Sequence, residues 1–291
     1  MKRLNRSLAM GLVGLLATFA VNAQKDGEYH LDQTYTIATN GTLYLDSEDA
    51  NVNITGSSRT DAHVKIDRVV ETRGFSSGRN EFRFDVEDRA GNLYLTERRR
   101  GGVTVQVGYS RTDYTINIEL PRSVSLKVKG EDDDYIIRNI DGKISIESED
   151  GDIEVIDCHG SDFQFKLEDG DLKVEGGNGA ISVDIEDGDV DIRKGNFDRI
   201  EMDVQDGSVI LETAIADNGI YDIKAEDARV DFVVIKGGGE FLVLKDDGSL
   251  RTSSDFETLQ ESDHRSLVKL AGGNAKIEIR TGDGRVRLSK Q

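Results

Sequence analysis

Nine short turns, each centred on an aspartate between two runs of alternating aliphatic residues, restrict what this chain can fold into more than any other feature. The centres are Asp49, Asp132, Asp150, Asp169, Asp187, Asp206, Asp227, Asp247 and Asp283. Six and four residues before each centre the side chain is apolar, as in Ile144/Ile146, Phe163/Phe165 and Ile181/Val183. Three and five residues after it the pattern returns, as in Ile153/Val155, Leu172/Val174 and Val190/Ile192, and only Thr252 breaks the column. Alternation with a period of two places these residues on one face of a strand, so each unit reads as strand, turn, strand with one buried face.

From Asp132 to Asp247 the centres are 18, 19, 18, 19, 21 and 20 residues apart. A two-strand unit cannot bury its own apolar face, but a fixed period lets each unit bury it with its neighbours, which makes a solenoid. The predicted fold is therefore all-β: a single-stranded β-solenoid, a two-faced β-roll or β-helix, with an N-terminal antiparallel β layer. A triangular helix with three six-residue sides has a rung of similar length. Apolar pairs nine or ten residues apart, rather than single apolar residues six apart, favour two faces. A content of 31 Gly with one Pro fits strands joined by tight turns.

Residues 1–23 read as a secretory signal peptide. Lys2, Arg3 and Arg6 precede an apolar run from Leu8 to Ala20 and the small-x-small site Val21-Asn22-Ala23. Residues 24–291 then form one domain, with the N-terminal layer and hairpins over 24–122, regular rungs over 123–252 and irregular closing rungs over 253–291. In the layer, Phe82, Phe84 and Val86 alternate, turn at Arg89 to Asn92 and return through Leu93 and Leu95 as a hairpin. Near the other end, polar residues 253–273 interrupt the period and "AKIEIRTGDGRVRL" resumes it as a closing rung. Caps are expected at both ends because a parallel stack otherwise exposes unpaired backbone.

The formal charge is −19, and loss of the three leader cations makes it −22. Such a field disfavours nucleic acid and anionic membrane as partners. No apolar run of transmembrane length follows the leader. Cys158 is the only cysteine, so no internal disulfide forms, and it reads as a small buried apolar side chain.

The turns are densely acidic, most of all in "LEDGDLKVEGGNGAISVDIEDGDVDI" over 167–192. Gly supplies the positive φ of a sharp turn, and the central Asp is expected to accept backbone N–H groups through its side chain. The flanking acids, Glu149, Glu168 and Glu186 before and Asp152, Asp171 and Asp189 after, would file along one edge. At a strand spacing of about 4.8 Å, neighbouring charges repel by roughly 1 kcal/mol in water. Such a file is tolerable when solvated, yet it would welcome a cation. If calcium binds, Asp150, Asp152, Asp169, Asp171, Asp187 and Asp189 are the ligands expected, since calcium takes six to eight oxygens. The calcium-binding nonapeptide roll places its acids differently, and Ser208, Arg229, Ser249 and Arg285 replace the trailing Asp in later turns. Structural turns are thus the preferred reading, with no cofactor and no committed metal.

Catalytic signatures are lacking. His30, His63, His159 and His264 have no metal-ligand spacing, and neither a nucleophile elbow nor a phosphate-cradling loop occurs. "ERRRGG", Glu97 to Gly102, is a basic cluster that reads as a solvated loop, with docking of an acidic glycan or a lipid phosphate as the alternative. Ser145, Gln164, Lys166, Ser182, Glu201 and Asp203 occupy outward strand positions and make a mixed polar face. No outward strand face persuasively gathers Lys or Arg with paired acids, the feature that would mark a polysaccharide-active groove.

The segments "LYLDSEDANVNITG", "YTINIELPRSVSLKVKG", the serial "ISIESEDGDIEV" rungs and "HRSLVKLAGGNAKIEIRTGDGRVRL" together resemble a bacterial adhesin-like family, a β-strand-repeat domain of unknown function in cell-envelope proteins. The resemblance spans the chain after the leader. It implies an exported β-solenoid with no catalytic residues to carry over. The turns here are more acidic than is usual for that family. The expected function is an exported, non-enzymatic scaffold or adhesin-like module of the envelope, periplasmic or at the cell surface, that binds a protein or surface polymer through polar strand faces. A calcium-dependent extracellular β-roll and a polysaccharide-active β-helix enzyme are the alternatives.

Overall fold

The computed structural model describes residues 27–77, 81–100 and 105–291, so the expected leader over 1–23 lies outside the described residues. These residues form 24 β-strands and no helix. Each turn joins a strand of one sheet to a strand of a second sheet, and the inward faces of the two sheets meet in one continuous core.

The stacking is parallel and residue on residue. In the first sheet, Ile144–Asp150 lies on Asp162–Asp169 with Ile144 against Phe163, Ile146 against Phe165 and Asp150 against Asp169. In the second sheet, Ile153–Ile156 lies on Leu172–Glu175 with Ile153 against Leu172 and Val155 against Val174. The apolar columns of the sequence thereby become straight buried ladders, and Leu43, Ile54, Phe163, Ile200, Val230 and Ile279 are all fully enclosed. A buried aliphatic or aromatic side chain contributes roughly 1.5–3 kcal/mol, and a rung gains it only with neighbours above and below. Thr252 stands exposed where the second sheet ends, on the short strand Ser249–Thr252.

Chain order and spatial order part company at both ends. The last repeat, with strands Ala275–Thr281 and Arg285–Lys290, does not close the stack. Ala275–Thr281 lies between Ile220–Ala225 and Gly239–Lys245, parallel to both. Arg285–Lys290 likewise lies between Arg229–Lys236 and Ser249–Thr252. The segment between the two repeats forms the cap: Arg265–Leu270 pairs antiparallel with Gly239–Lys245, and Phe256–Glu261 pairs antiparallel with Arg265–Leu270. The N-terminal end mirrors this. Thr42–Asp46 is inserted between Asn92–Arg100 and Ser125–Lys129, and Asn51–Ser57 between Val105–Pro121 and Asp134–Arg138. Outside them the antiparallel hairpin of Glu81–Arg89 with Asn92–Arg100 and the antiparallel strands Ala62–Ser77 and Glu28–Tyr35 complete the layer.

The turns permit this spacing because of a glycine column. A Cβ on Gly170 would lie 2.2 Å from the Gly151 carbonyl oxygen, and one on Gly207 would lie 2.1 Å from that of Gly188. Gly170 also has φ +132°, a conformation costly for an L side chain.

Two outcomes test this architecture. Gly170→Ala should lower stability by about 3 kcal/mol or more in a urea titration, combining backbone strain with the clash. Gly176→Ala, where φ is also positive but nothing lies within 4 Å of the new Cβ, should cost only about 1 kcal/mol. For the inserted rung, Asp222 and Glu278 are parallel neighbours, so cysteines at these positions should form a disulfide under mild oxidation. Cysteines at Asp222 and Leu242, two strands apart across that rung, should not.

Candidate functional site

The acidic edge has a specific structural task, carried by a different aspartate from the expected one. Asp152 accepts the backbone N–H of Asp171 at 3.0 Å, and Asp171 accepts that of Asp189 at 3.0 Å. Asp134 begins this ladder by accepting the N–H of Asp152 at 3.1 Å, and Ser208 ends it by donating both its N–H and its hydroxyl to Asp189. Each trailing carboxylate thus satisfies a turn amide of the next rung. The central residues Asp150, Asp169 and Asp187 stack in register as a solvated column and, among the described residues, accept no backbone N–H through their side chains. Next to them Asp132 is held above the ordinary carboxylate range by desolvation and by the neighbouring charges of Asp49 and Asp150. Among the described residues no group of three or more His, Cys, Asp or Glu side chains converges as a metal-ligating set.

Past Ser208 this same column changes sign. In spatial order it continues as Arg229, Arg285 and Ser249, and the next outward column of the second sheet continues as Asp231, Arg287 and Arg251. Arg229, Asp231, Arg251, Arg285 and Arg287 line a cleft of about 350 Å³ together with Thr252, Ser253 and Ser289. Arg229 pairs with Asp231 at 2.6 Å. Among the described residues Arg251, Arg285 and Arg287 make no ion pair, and the buried Oδ1 of Asp231 accepts no hydrogen bond. Reading in chain order missed this cluster because its parts come from three separate stretches, which the inserted last rung brings together. On the first sheet three outward cations are paired across rungs: Lys166 with Asp184 at 3.6 Å, Lys224 with Asp203 at 3.3 Å and Arg280 with Asp222 at 2.8 Å.

A third polar group lies inside the N-terminal end. Asp133 stands where most turns have Gly, and it is fully buried. Its carboxylate accepts the Ala50 N–H at 2.6 Å, the Tyr135 hydroxyl at 3.0 Å and the Ser47 hydroxyl at 3.2 Å. Gly130 leaves room for it, because a Cβ there would meet the Tyr135 hydroxyl. Beside it, buried Glu97 accepts the Tyr114 hydroxyl at 2.7 Å and the Glu48 N–H at 3.1 Å, and it holds Arg99. Arg99 in turn reaches Asp49 at 3.1 Å. Of the basic cluster expected to be a solvated loop, Glu97 to Arg100 is therefore strand, with its acid buried as a tie to the first turn; Gly101 and Gly102 lie outside the described residues. Cys158 is buried, receives the Ile140 N–H at 3.4 Å and is pushed up to about 11 by that burial.

Burial raises Asp133 to about 6, against an ordinary value of 3.8, although its three donors pull the other way. The folded state thus holds this proton more tightly than the unfolded chain does. The resulting stability is fully present below about pH 4 and is lost as pH rises towards 6, by roughly 3 kcal/mol for a two-unit difference. Asp133→Asn should flatten that segment of a stability-against-pH curve measured by urea unfolding.

Comparison with known proteins bears on most of the chain. Three solved structures are similar. One is a candidate adhesin from Bacteroides fragilis, with TM-score 0.45 and 12% identity, covering 89% of this chain and 97% of that one. A second, from Parabacteroides distasonis, has TM-score 0.46 and 12% identity over 89% and 97% of the two chains. A candidate lipid-binding protein from the same organism has TM-score 0.38 and 9% identity over 89% and 96%. No curated protein matches. The Toastrack DUF4097 family profile matches residues 40–289, which takes in both interleaved ends, the glycine column and the arginine cleft. The chain belongs to the Toastrack DUF4097 family, a family of unknown function.

Proposed function

We propose that the protein is an exported, non-enzymatic module of the bacterial cell envelope that binds a surface polymer or an envelope protein through its outward strand faces. The observation that supports this reading is the exact-neighbour register of the outward side chains. Because rungs stack residue on residue, Lys127, Ser145, Gln164, Ser182 and Glu201 form one straight row on the first sheet. Such a row repeats polar groups at about 4.8 Å on a backbone hydrogen-bonded on both sides, so it meets an extended partner with its backbone already ordered. The leader read at 1–23 supports export. The trailing aspartates already serve the turn amides, which supports a structural acidic edge over a calcium site. Asp231 is the only carboxylate lining the arginine cleft, whereas glycoside hydrolysis ordinarily uses two.

One co-sedimentation experiment separates the three readings. The purified protein is mixed with insoluble envelope polysaccharide in EDTA and in millimolar calcium. It should sediment equally in both and leave the chain length of the polymer unchanged. Sedimentation in calcium alone would favour the calcium-dependent β-roll, and shortened polymer would favour the enzyme.

A further inference from the structure

Resting on that polymer-binding reading, we propose that the cleft of Arg229, Arg251, Arg285 and Arg287 is a binding site for an acidic glycan, whose anionic group sits on the arginines while a sugar hydroxyl donates to Asp231.

The charge pattern is the first argument. In a chain of net charge −19, three arginines on adjacent strands have no acidic partner among the described residues, whereas Lys166, Lys224 and Arg280 of the first sheet find theirs one rung away. Adjacent strands lie about 4.8 Å apart and alternate residues about 6.6 Å apart. Four guanidinium groups therefore share the lining of one cleft, and a bound anion offsets their like charge. Arginine forks also match carboxylate oxygens in a bidentate manner.

The second argument separates a sugar from a bare anion. Arg229 already occupies one oxygen of Asp231, and Oδ1 is buried without a donor. An unmet buried acceptor costs about 1–3 kcal/mol. A fully ionised phosphate or sulfate offers no proton to it, whereas a saccharide hydroxyl does once the flanking arginine side chains turn towards the anion. Thr252, Ser253 and Ser289 add hydroxyls at the wall. The remaining acidic surface repels densely charged polymers and so favours a ligand whose charges are spaced by neutral hydroxylated units.

The test is calorimetric titration of the purified protein with three probes. These are a hexasaccharide of alternating uronate and neutral sugars, maltohexaose, and tripolyphosphate. The acidic hexasaccharide should bind about tenfold more tightly than either of the others and weaken with added salt. Arg251→Glu combined with Arg287→Glu should reduce its affinity by about tenfold or more. Asp231→Ala should weaken the hexasaccharide while strengthening tripolyphosphate, since a like charge is removed. Melting midpoints accompany each variant, and Arg285→Gln replaces the double substitution if that protein does not fold. Equal binding of tripolyphosphate, equal binding of maltohexaose, or no binding of the hexasaccharide at millimolar concentration each overturns the proposal. So does hexasaccharide binding that survives the arginine substitutions. If the hexasaccharide does not bind while the wild-type protein still sediments with envelope polysaccharide, the cleft fails and the polymer-binding reading stands. If the wild-type protein does not sediment, both fail.

Discussion

The backbone contact between successive turns governs this molecule. Parallel rungs can stack residue on residue only if the tight turns come as close as the strands do, and at the turn a side chain would meet the carbonyl of the rung beside it. Glycine removes the obstacle, and the trailing aspartate satisfies the amide that the turn leaves unpaired. With those two conditions met, every apolar column becomes a buried ladder and every polar column an exposed row. The acidic turn is therefore a joint between rungs, repeated because the rung is repeated.

Much of this was legible in the sequence because the period carries it. The inward columns, the two strands per rung and the hairpin at Arg89 to Asn92 follow from alternation and turn chemistry that need no distant information. The resemblance to an envelope-protein repeat family agreed with the same segments, and the family match covers them. Which aspartate of the turn serves the backbone was not legible, since both stand within two residues of the glycine and only the direction of the neighbouring rung distinguishes them. Asp133 left a fainter trace. It breaks the glycine position, Tyr135 follows two residues later, and Gly130 precedes it, a combination that in retrospect marks a buried carboxylate with a hydroxyl donor.

The arginine cleft illustrates a harder limit. "ARVDF", "SLRTS" and "GRVRL" each contribute to it, and each alone looks like an ordinary polar strand edge. Their assembly depends on which strand lies beside which, and a gap of 36 residues between Asp247 and Asp283 is compatible with two rungs in either spatial order. Topology at the ends of a repeat array is set by how the caps protect open sheet edges, a long-range matter that a local period does not encode. The consequence is electrostatic as well as architectural. One edge column runs from a file of aspartates to a pair of arginines, so the acidic protein has a basic region confined to one end of its second sheet.

The interleaved ends also bear on how the stack responds to force. In a solenoid whose last rung is its outermost, tension on the C-terminus peels one edge, breaking hydrogen bonds a few at a time. Here the terminal strand Arg285–Lys290 is bonded on both sides, to Arg229–Lys236 and to Ser249–Thr252. Tension on it must draw a strand out from between two others, so the load is shared by two ladders in shear. A tether at that end is gripped where an ordinary stack would be weakest.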